Sequence, residues 1–267
     1  MTPEPNTSVD QAFEILDLLA REGSAGVADI ARELSIAPST AHRVLTTIYD
    51  SGFVDRDPSG SKYGLGPNAH LVVHGLFRQF GVQRAAIPFL SRIALGSGET
   101  TTLEVRLGWL AVRMAGFEGT NEIHSARRLG QATRLADTAG GLAILGRLDD
   151  EEVGRYLRWE GGGRRIAART RAVREQIQEV SVAGYARKPG SGGEAEIAFP
   201  VCVQGRCIAS ICLDGNGPLV AGAGKRSSTK KVSSLVDSFV ATLEADPSLA
   251  QDPFSHLDPD ELTALAI

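Results

Sequence analysis

The sequence predicts an α+β protein in two parts, an N-terminal winged helix-turn-helix and a C-terminal antiparallel sheet covered by helices. Two observations carry the first part. Short amphipathic helices flank a tight turn over residues 27–48, and a hairpin pattern follows at once over 53–65. The second part rests on paired strand-like runs at 101–114 and 196–213 that alternate with helical periodicities.

The first helix opens at Ser8, where Ser8-Val9-Asp10-Gln11 reads as a capping box, and its apolar stripe is Val9, Ala12, Phe13, Leu16, Leu19 and Ala20. Phe13 is the expected centre of a three-helix core. The second helix repeats apolar residues at i, i+3, i+4 and i+7 as Val27, Ile30, Ala31 and Leu34, and the third does so as Ala41, Val44, Leu45 and Ile48. Only Ser35, Ile36 and Ala37 part them, and Pro38 suits the first turn of the third helix, where its missing N–H costs nothing. The two helices should therefore cross steeply. With its apolar stripe buried, the third helix presents Ser39, Arg43, Thr46 and Thr47, flanked by Thr40 and His42. Short hydroxyls and one arginine suit a DNA major groove. The chain then runs Phe53-Val54-Asp55-Arg56, reverses through Asp57-Pro58-Ser59-Gly60 and returns as Ser61-Lys62-Tyr63-Gly64-Leu65, which places Arg56 and Lys62 where a wing meets phosphate.

Helix-turn-helix hairpins also serve as plain packing units, and the charge of this one is unusual. Residues 1–70 hold five basic side chains (Arg21, Arg32, Arg43, Arg56, Lys62) against ten acids. A broad basic footprint is absent, so each subunit should bind DNA weakly and specific binding should need dimerisation.

Pro67 to Phe80 reads as a linker helix ended by Gly81; His70 and His74 lie one turn apart on it, with no third metal ligand nearby. Beyond come a helix to about Ala94, a hairpin (Thr101–Arg106, Leu110–Met114), a helix from Thr138 to about Leu145, and helices near Asp149–Arg158 and Arg169–Val182. Two strands about the turn Gln204-Gly205 and a closing helix from Lys225 to Glu244 complete it. Arg187 to Gly193 reads as a loop. Cys207 and Cys212 have opposite parity on one strand, which disfavours a zinc site with Cys202, and a redox sensor stays open. The boundaries expected are 1–66, 67–81 for the linker, 82–246, and an acidic tail over 247–267 for which the sequence offers no function.

At 267 residues, 42% hydrophobic and 22% charged, the chain is ordinary in composition. It has neither a basic, apolar leader at its start nor an 18-residue apolar run, and its three cysteines suit a reducing compartment, which points to the cytoplasm and away from membranes. No nucleophile elbow, phosphate loop or dinucleotide fingerprint occurs, so no catalytic residue, metal or cofactor is expected.

The chain resembles the IclR-type transcriptional regulators over nearly its whole length. The opening helix Ser8 to Asp17, Ile30-Ala31-Arg32-Glu33-Leu34 with Pro38 to Leu45, and Gly52 to Asp57 with Tyr63-Gly64-Leu65-Gly66 are similar to that family's first domain; Gly98-Glu99-Thr100, Gly184-Tyr185-Ala186 and Ile197 to Val201 are similar to landmarks of its second. The resemblance implies a GAF-like second domain with helices on its faces. It also implies a homodimer or dimer of dimers on a near-palindromic double-stranded DNA operator, often as a repressor, whose affinity changes when a small metabolite binds the second domain.

At the implied effector pocket the chain departs from the family. The run Leu135 to Ala143 keeps small residues but lacks the family's histidine and lysine; its Ala139, Gly140 and Gly141 could offer N–H groups to an anion. The family's sheet cysteine falls on Glu196, and two ligand-holding serines fall on Cys212 and Asp214. Three readings follow: the effector is neutral or cationic, one acid is protonated, or Glu196 and Asp214 face solvent and the pocket is vestigial. A different class stays open too, a small-molecule binding protein or enzyme whose N-terminal helices only mediate association. The two part at Arg43, whose removal should weaken DNA binding in the first case alone.

Overall fold

A computed structural model describes residues 7–120, 129–161, 166–189, 195–217, 220, 226–254 and 256–266. The chain divides into two compact units, Met1–Arg78 and Gln79–Ile267.

In the first unit, α1 (Thr7–Glu22), α2 (Val27–Glu33) and α3 (Pro38–Asp50) pack around Ile15, Leu18, Leu19, Ile30, Leu45 and Ile48. Ser35 takes a left-handed conformation, φ 54°, which lets the chain turn sharply between α2 and α3. Phe13 is not the centre of this core; it is 67% exposed, and Val9 is exposed with it. Helix α1 carries two apolar arcs, and the one spaced as Ile15, Leu18 and Leu19 faces α3 while the Val9–Phe13 arc stays outside. Thr7, one residue before the expected Ser8, already belongs to the helix. After α3, β2 (Val54–Arg56) and β3 (Tyr63–Leu65) form the expected hairpin, to which β1 (Ser24–Ala25) adds an unexpected third strand, in the order β1-β3-β2. Gly66 follows directly, and a Cβ there would come within 2.5 Å of the Gly52 carbonyl oxygen. Helix α4 (Pro67–Gln79) exposes Leu71, Val72 and Val73.

The second unit is a six-stranded antiparallel sheet between two helical layers. Its strands are β4 (Thr100–Leu107), β5 (Leu110–Phe117), β6 (Ala132–Arg134), β7 (Ala186–Pro189), β8 (Ala195–Val203) and β9 (Arg206–Gly215), in the order β6-β5-β4-β9-β8-β7. Helices α5 (Gly81–Ser97) and α9 (Arg226–Ala245) cover one face, where Phe89 meets Phe239 with ring centroids 5.3 Å apart. On the other face α6 (Ala139–Leu145) lies across β8 and β9, backed by α7 (Asp150–Glu160) and α8 (Ile166–Ala183). Every residue of α6 is buried, so it reads as a core helix rather than an amphipathic one.

Two irregularities matter for the chemistry. A register shift between Leu103 and Glu104 sets Glu104 opposite Arg113, and another between Val201 and Cys202 sets Cys202 opposite Cys207. The second shift skips Ile208, so Cys207 and Cys212 join the same core cluster despite the parity expected of a regular strand. Arg187, Lys188 and Pro189 are not loop but edge strand, paired with Ile197, Glu196 and Ala195; Gly190 to Gly193 lie outside the described residues. The segment after Asp246 is docked. Helix α10 (Pro259–Ala266) accepts the Trp109 indole N–H on Asp260 at 2.5 Å and the Trp109 backbone N–H on Thr263 Oγ1 at 2.8 Å. Arg155 adds bonds to Asp258 at 2.7 Å and Asp260 at 2.8 Å.

Candidate functional site

On α3 the buried stripe Ala41, Val44, Leu45 and Ile48 fixes the helix, and Pro38, Ser39, His42, Arg43, Thr46 and Thr47 are exposed while Thr40 is half-buried. The hydroxyls of Thr46 and Thr47 donate back to the His42 and Arg43 carbonyls at 2.9 and 3.1 Å, which turns their oxygens to the helix and leaves their methyls outward. Arg56 stacks over the rings of Tyr49 and Tyr63, at 5.4 and 5.1 Å, so the wing guanidinium sits beside the last turns of α3. Asp57 organises the wing tip by accepting from Ser59 Oγ at 2.6 Å and from the backbone N–H groups of Ser61 and Lys62, and these bonds hold its carboxyl below the usual range.

The distribution of ion pairs resolves the acidic balance of this unit. Arg21 is held by Asp17 at 3.2 Å and Arg32 by Asp29 at 2.6 Å, whereas among the described residues Arg43, Arg56 and Lys62 have no acidic partner. The neutralised arginines are on α1 and α2. The free cations are on α3 and the wing.

The second cluster lies where α6 meets the sheet. Thr138 caps α6, accepting from the Gly141 N–H at 2.8 Å and donating to Glu104 Oε2 at 2.9 Å. The Ala139 N–H donates to Glu196 Oε2 at 3.0 Å. These N–H groups are therefore not open to an outside anion, as the sequence had suggested; Glu196 already supplies the carboxylate. Gly140 rests directly on the sheet, and a Cβ there would strike Glu104, Cys212 and Ser210. The Lys188 ammonium reaches the Ala136 carbonyl at 2.7 Å, and burial lowers its pKa.

Arg113 stands at the centre, 3.0 Å from Glu104, 3.7 Å from Asp214 and 3.8 Å from Glu196. Asp214 is buried and Glu196 keeps a quarter of its side chain exposed, so neither is a surface acid and the solvent-facing reading of the pair falls. Burial pushes the Asp214 carboxyl up to about 8 against the pull of Arg113, with Glu196 adding to the rise. Burial likewise raises Glu104 and Cys212. For Arg113 burial opposes the charge, but Asp214 and Glu104 outweigh it and its pKa rises. Thr102 Oγ1 and Asp214 Oδ2 are buried without a hydrogen-bond partner, facing the same cluster.

Sequence reasoning named Glu196, Cys212 and Asp214 but missed Glu104, Arg113 and Thr102. A signal existed, since Glu104 and Arg113 interrupt apolar strands. The His74 side chain lies outside the described residues, and among those described no group of three or more His, Cys, Asp or Glu could hold a metal. No described helix is long and apolar enough to cross a membrane.

Comparison with known proteins matches segments in both units. Residues 8–58 match the IclR helix-turn-helix domain, and residues 74–212 match the domain described as bacterial transcriptional regulator IclR C-terminal. The HTH-type transcriptional regulator BhcR of Paracoccus denitrificans is 28% identical over 234 residues, 85% of this chain and 79% of that protein. The HTH-type transcriptional repressor AllR of Escherichia coli is 29% identical over 147 residues, 55% of this chain and 54% of that protein. Among solved structures, the Thermotoga maritima IclR superposes with a TM-score of 0.68 at 23% identity, covering 92% of this chain and 99% of that one. An IclR homolog from Microbacterium hydrocarbonoxydans complexed with 4-hydroxybenzoate gives 0.74 at 19% identity, covering 90% and 100%. The chain belongs to the IclR family of bacterial transcriptional regulators, a helix-turn-helix DNA-binding unit joined to an α+β effector domain.

Proposed function

We propose that the regulator reads a near-palindromic operator through Ser39, Thr40, His42, Arg43, Thr46 and Thr47 in the major groove, with Pro38 setting the helix entry and Arg56 and Lys62 on phosphate. The observation that carries this reading is the sorting of cations, paired on α1 and α2 and free on α3 and the wing. Three free cations per subunit are few, so specific binding requires a homodimer or a dimer of dimers. The exposed apolar residues Val9 and Phe13 on α1 and Leu71, Val72 and Val73 on α4 support an oligomer. It acts in the cytoplasm and is not an enzyme.

The effector enters at Ala139, Gly140, Gly141, Glu196, Cys212 and Asp214, and it is neutral or cationic. The Microbacterium relative is complexed with a carboxylate, 4-hydroxybenzoate. Here Glu196 already occupies the N–H of Ala139, and three acids surround one arginine. An outside carboxylate would find that donor already taken.

Selection of genomic fragments by the purified protein, with Arg43→Ala in parallel, tests the DNA reading. A shared near-palindrome that the variant loses supports it. Equal enrichment by the variant, or no preference over random DNA at low salt, makes the helix-turn-helix an association module.

A further inference from the structure

We propose that Cys202 and Cys207 form a peroxide-sensitive dithiol that closes into a cross-strand disulfide at the tip of the β8–β9 hairpin. The two are direct partners in the antiparallel ladder, one step inside the closing pair Val203–Arg206 and the two-residue turn Gln204-Gly205. In a two-residue hairpin that step is a non-hydrogen-bonded pair, with Cα atoms about 4.5 Å apart and side chains close. This lies within the separation a disulfide spans, so the bridge closes without moving the backbone. Both thiols are free.

The surroundings divide their roles. Cys202 is half-buried and lines a groove of about 570 Å³ together with Arg147, Pro200, Asp237 and Glu244, so a small oxidant can reach it. Cys207 is buried in the core cluster that also holds Trp109 and Ala111. The contact with Cys207 lowers the Cys202 thiol to about 7, against the effect of burial and with help from Arg147, while Cys207, whose S–H donates to the Ala209 carbonyl oxygen at 3.5 Å, is raised. Arg147 is the cation the linear sequence did not place near these thiols; it follows α6 and arrives through the fold. Cys202 is thus the attacking sulfur and Cys207 the resolving one.

The oxidant is a hydroperoxide. The Cys202 thiolate attacks one peroxide oxygen, the O–O bond breaks, and hydroxide leaves as water, giving a sulfenic acid. The Cys207 sulfur then attacks Cys202, the S–O bond breaks as the S–S bond forms, and the departing hydroxide takes the Cys207 proton. Two thiols lose two electrons and two protons, and hydrogen peroxide becomes two waters. A small thiol reductant reverses the bridge.

The test uses the full chain, reduced, exposed to hydrogen peroxide, blocked with a maleimide in denaturant so that buried thiols react too, and cleaved with trypsin. Cleavage after Arg206 parts the two cysteines, so a bridge holds two peptides together. The expected result is loss of two of the three alkylatable thiols, a linked pair that thiol reductant separates, and the same pair in Cys212→Ser. Cys207→Ala should halt at a sulfenic acid on Cys202 that dimedone traps, and Cys202→Ser should leave Cys207 reduced. The proposal is overturned by a Cys202–Cys212 or interchain link, by over-oxidised Cys202 beside an alkylated Cys207, or by three intact thiols after peroxide treatment.

Discussion

Arg113 donates to Glu104 at 3.0 Å across a shift in the β4–β5 register, and this pair anchors a buried network that also holds Asp214 and Glu196. Both side chains are almost wholly enclosed. Removing one partner of such a pair strands the other, at a cost of about 3–5 kcal/mol. Arg113→Met should therefore destabilise the second unit by that amount at pH 8 in urea unfolding, and by less at pH 5, where the stranded carboxyls protonate. Adding Glu104→Gln to the variant should recover part of the loss. Equal losses at both pH values would show that the guanidinium contributes packing rather than charge.

Asp214 sets a second pH dependence. Its carboxyl is raised to about 8 in the folded chain from 3.8, chiefly by burial. Below about pH 4 both states hold the proton and its contribution is fully present; between 4 and 8 the folded state keeps a proton that the unfolded state lacks, so stability falls as pH rises. The limiting slope is about 1.4 kcal/mol per pH unit for one proton. Asp214→Asn keeps the neutral shape and should remove that slope, measured as the difference in melting temperature between pH 5 and pH 8. Parallel profiles for wild type and variant would mean that Asp214 is ionised when folded.

The C-terminal helix is held by Thr263, whose hydroxyl receives the buried Trp109 N–H. Thr263→Val is nearly isosteric but leaves that N–H without an acceptor, which costs about 1–3 kcal/mol. Truncation after Asp246 removes both Thr263 and Asp260 and should shift tryptophan emission to longer wavelength as Trp109 meets water. Unchanged emission would place the helix off Trp109 in solution.

How much of this was legible in the sequence depends on how local each cause is. The α2–turn–α3 unit was, because Pro38 and two clean stripes at helical spacing are local signals, and Thr138 as the start of α6 was too. Phe13 was misplaced because α1 has two apolar arcs, and only α2 and α3 decide which one is buried. Arg113 escaped notice because a register shift, not strand periodicity, turns it onto Glu104. Glu196 and Asp214 drew attention as acids at ligand positions, yet that Glu196 itself fills the N–H of Ala139 needed the packing of α6 on β8. Arg147 reaches Cys202 only through the tertiary fold.

Arg43 and Arg56 should fail in different ways when removed. Arg43 is exposed on α3, has no acidic partner among the described residues, and stands between Ser39 and Thr47 on the same face. If it reads a base edge, Arg43→Ala should cost about 1–3 kcal/mol against the operator and little against random DNA. Arg56, on the wing, stacks over Tyr49 and Tyr63, and the role proposed for it is contact with phosphate rather than bases. Arg56→Ala should then weaken binding to all sequences and lower the slope of log affinity against log salt by about one per subunit. Arg56→Lys should not restore it fully, since an ammonium stacks poorly between two rings. Fluorescence anisotropy on operator and scrambled duplexes across a salt series separates the two, and a loss confined to the operator for Arg56→Ala would move the wing into a groove.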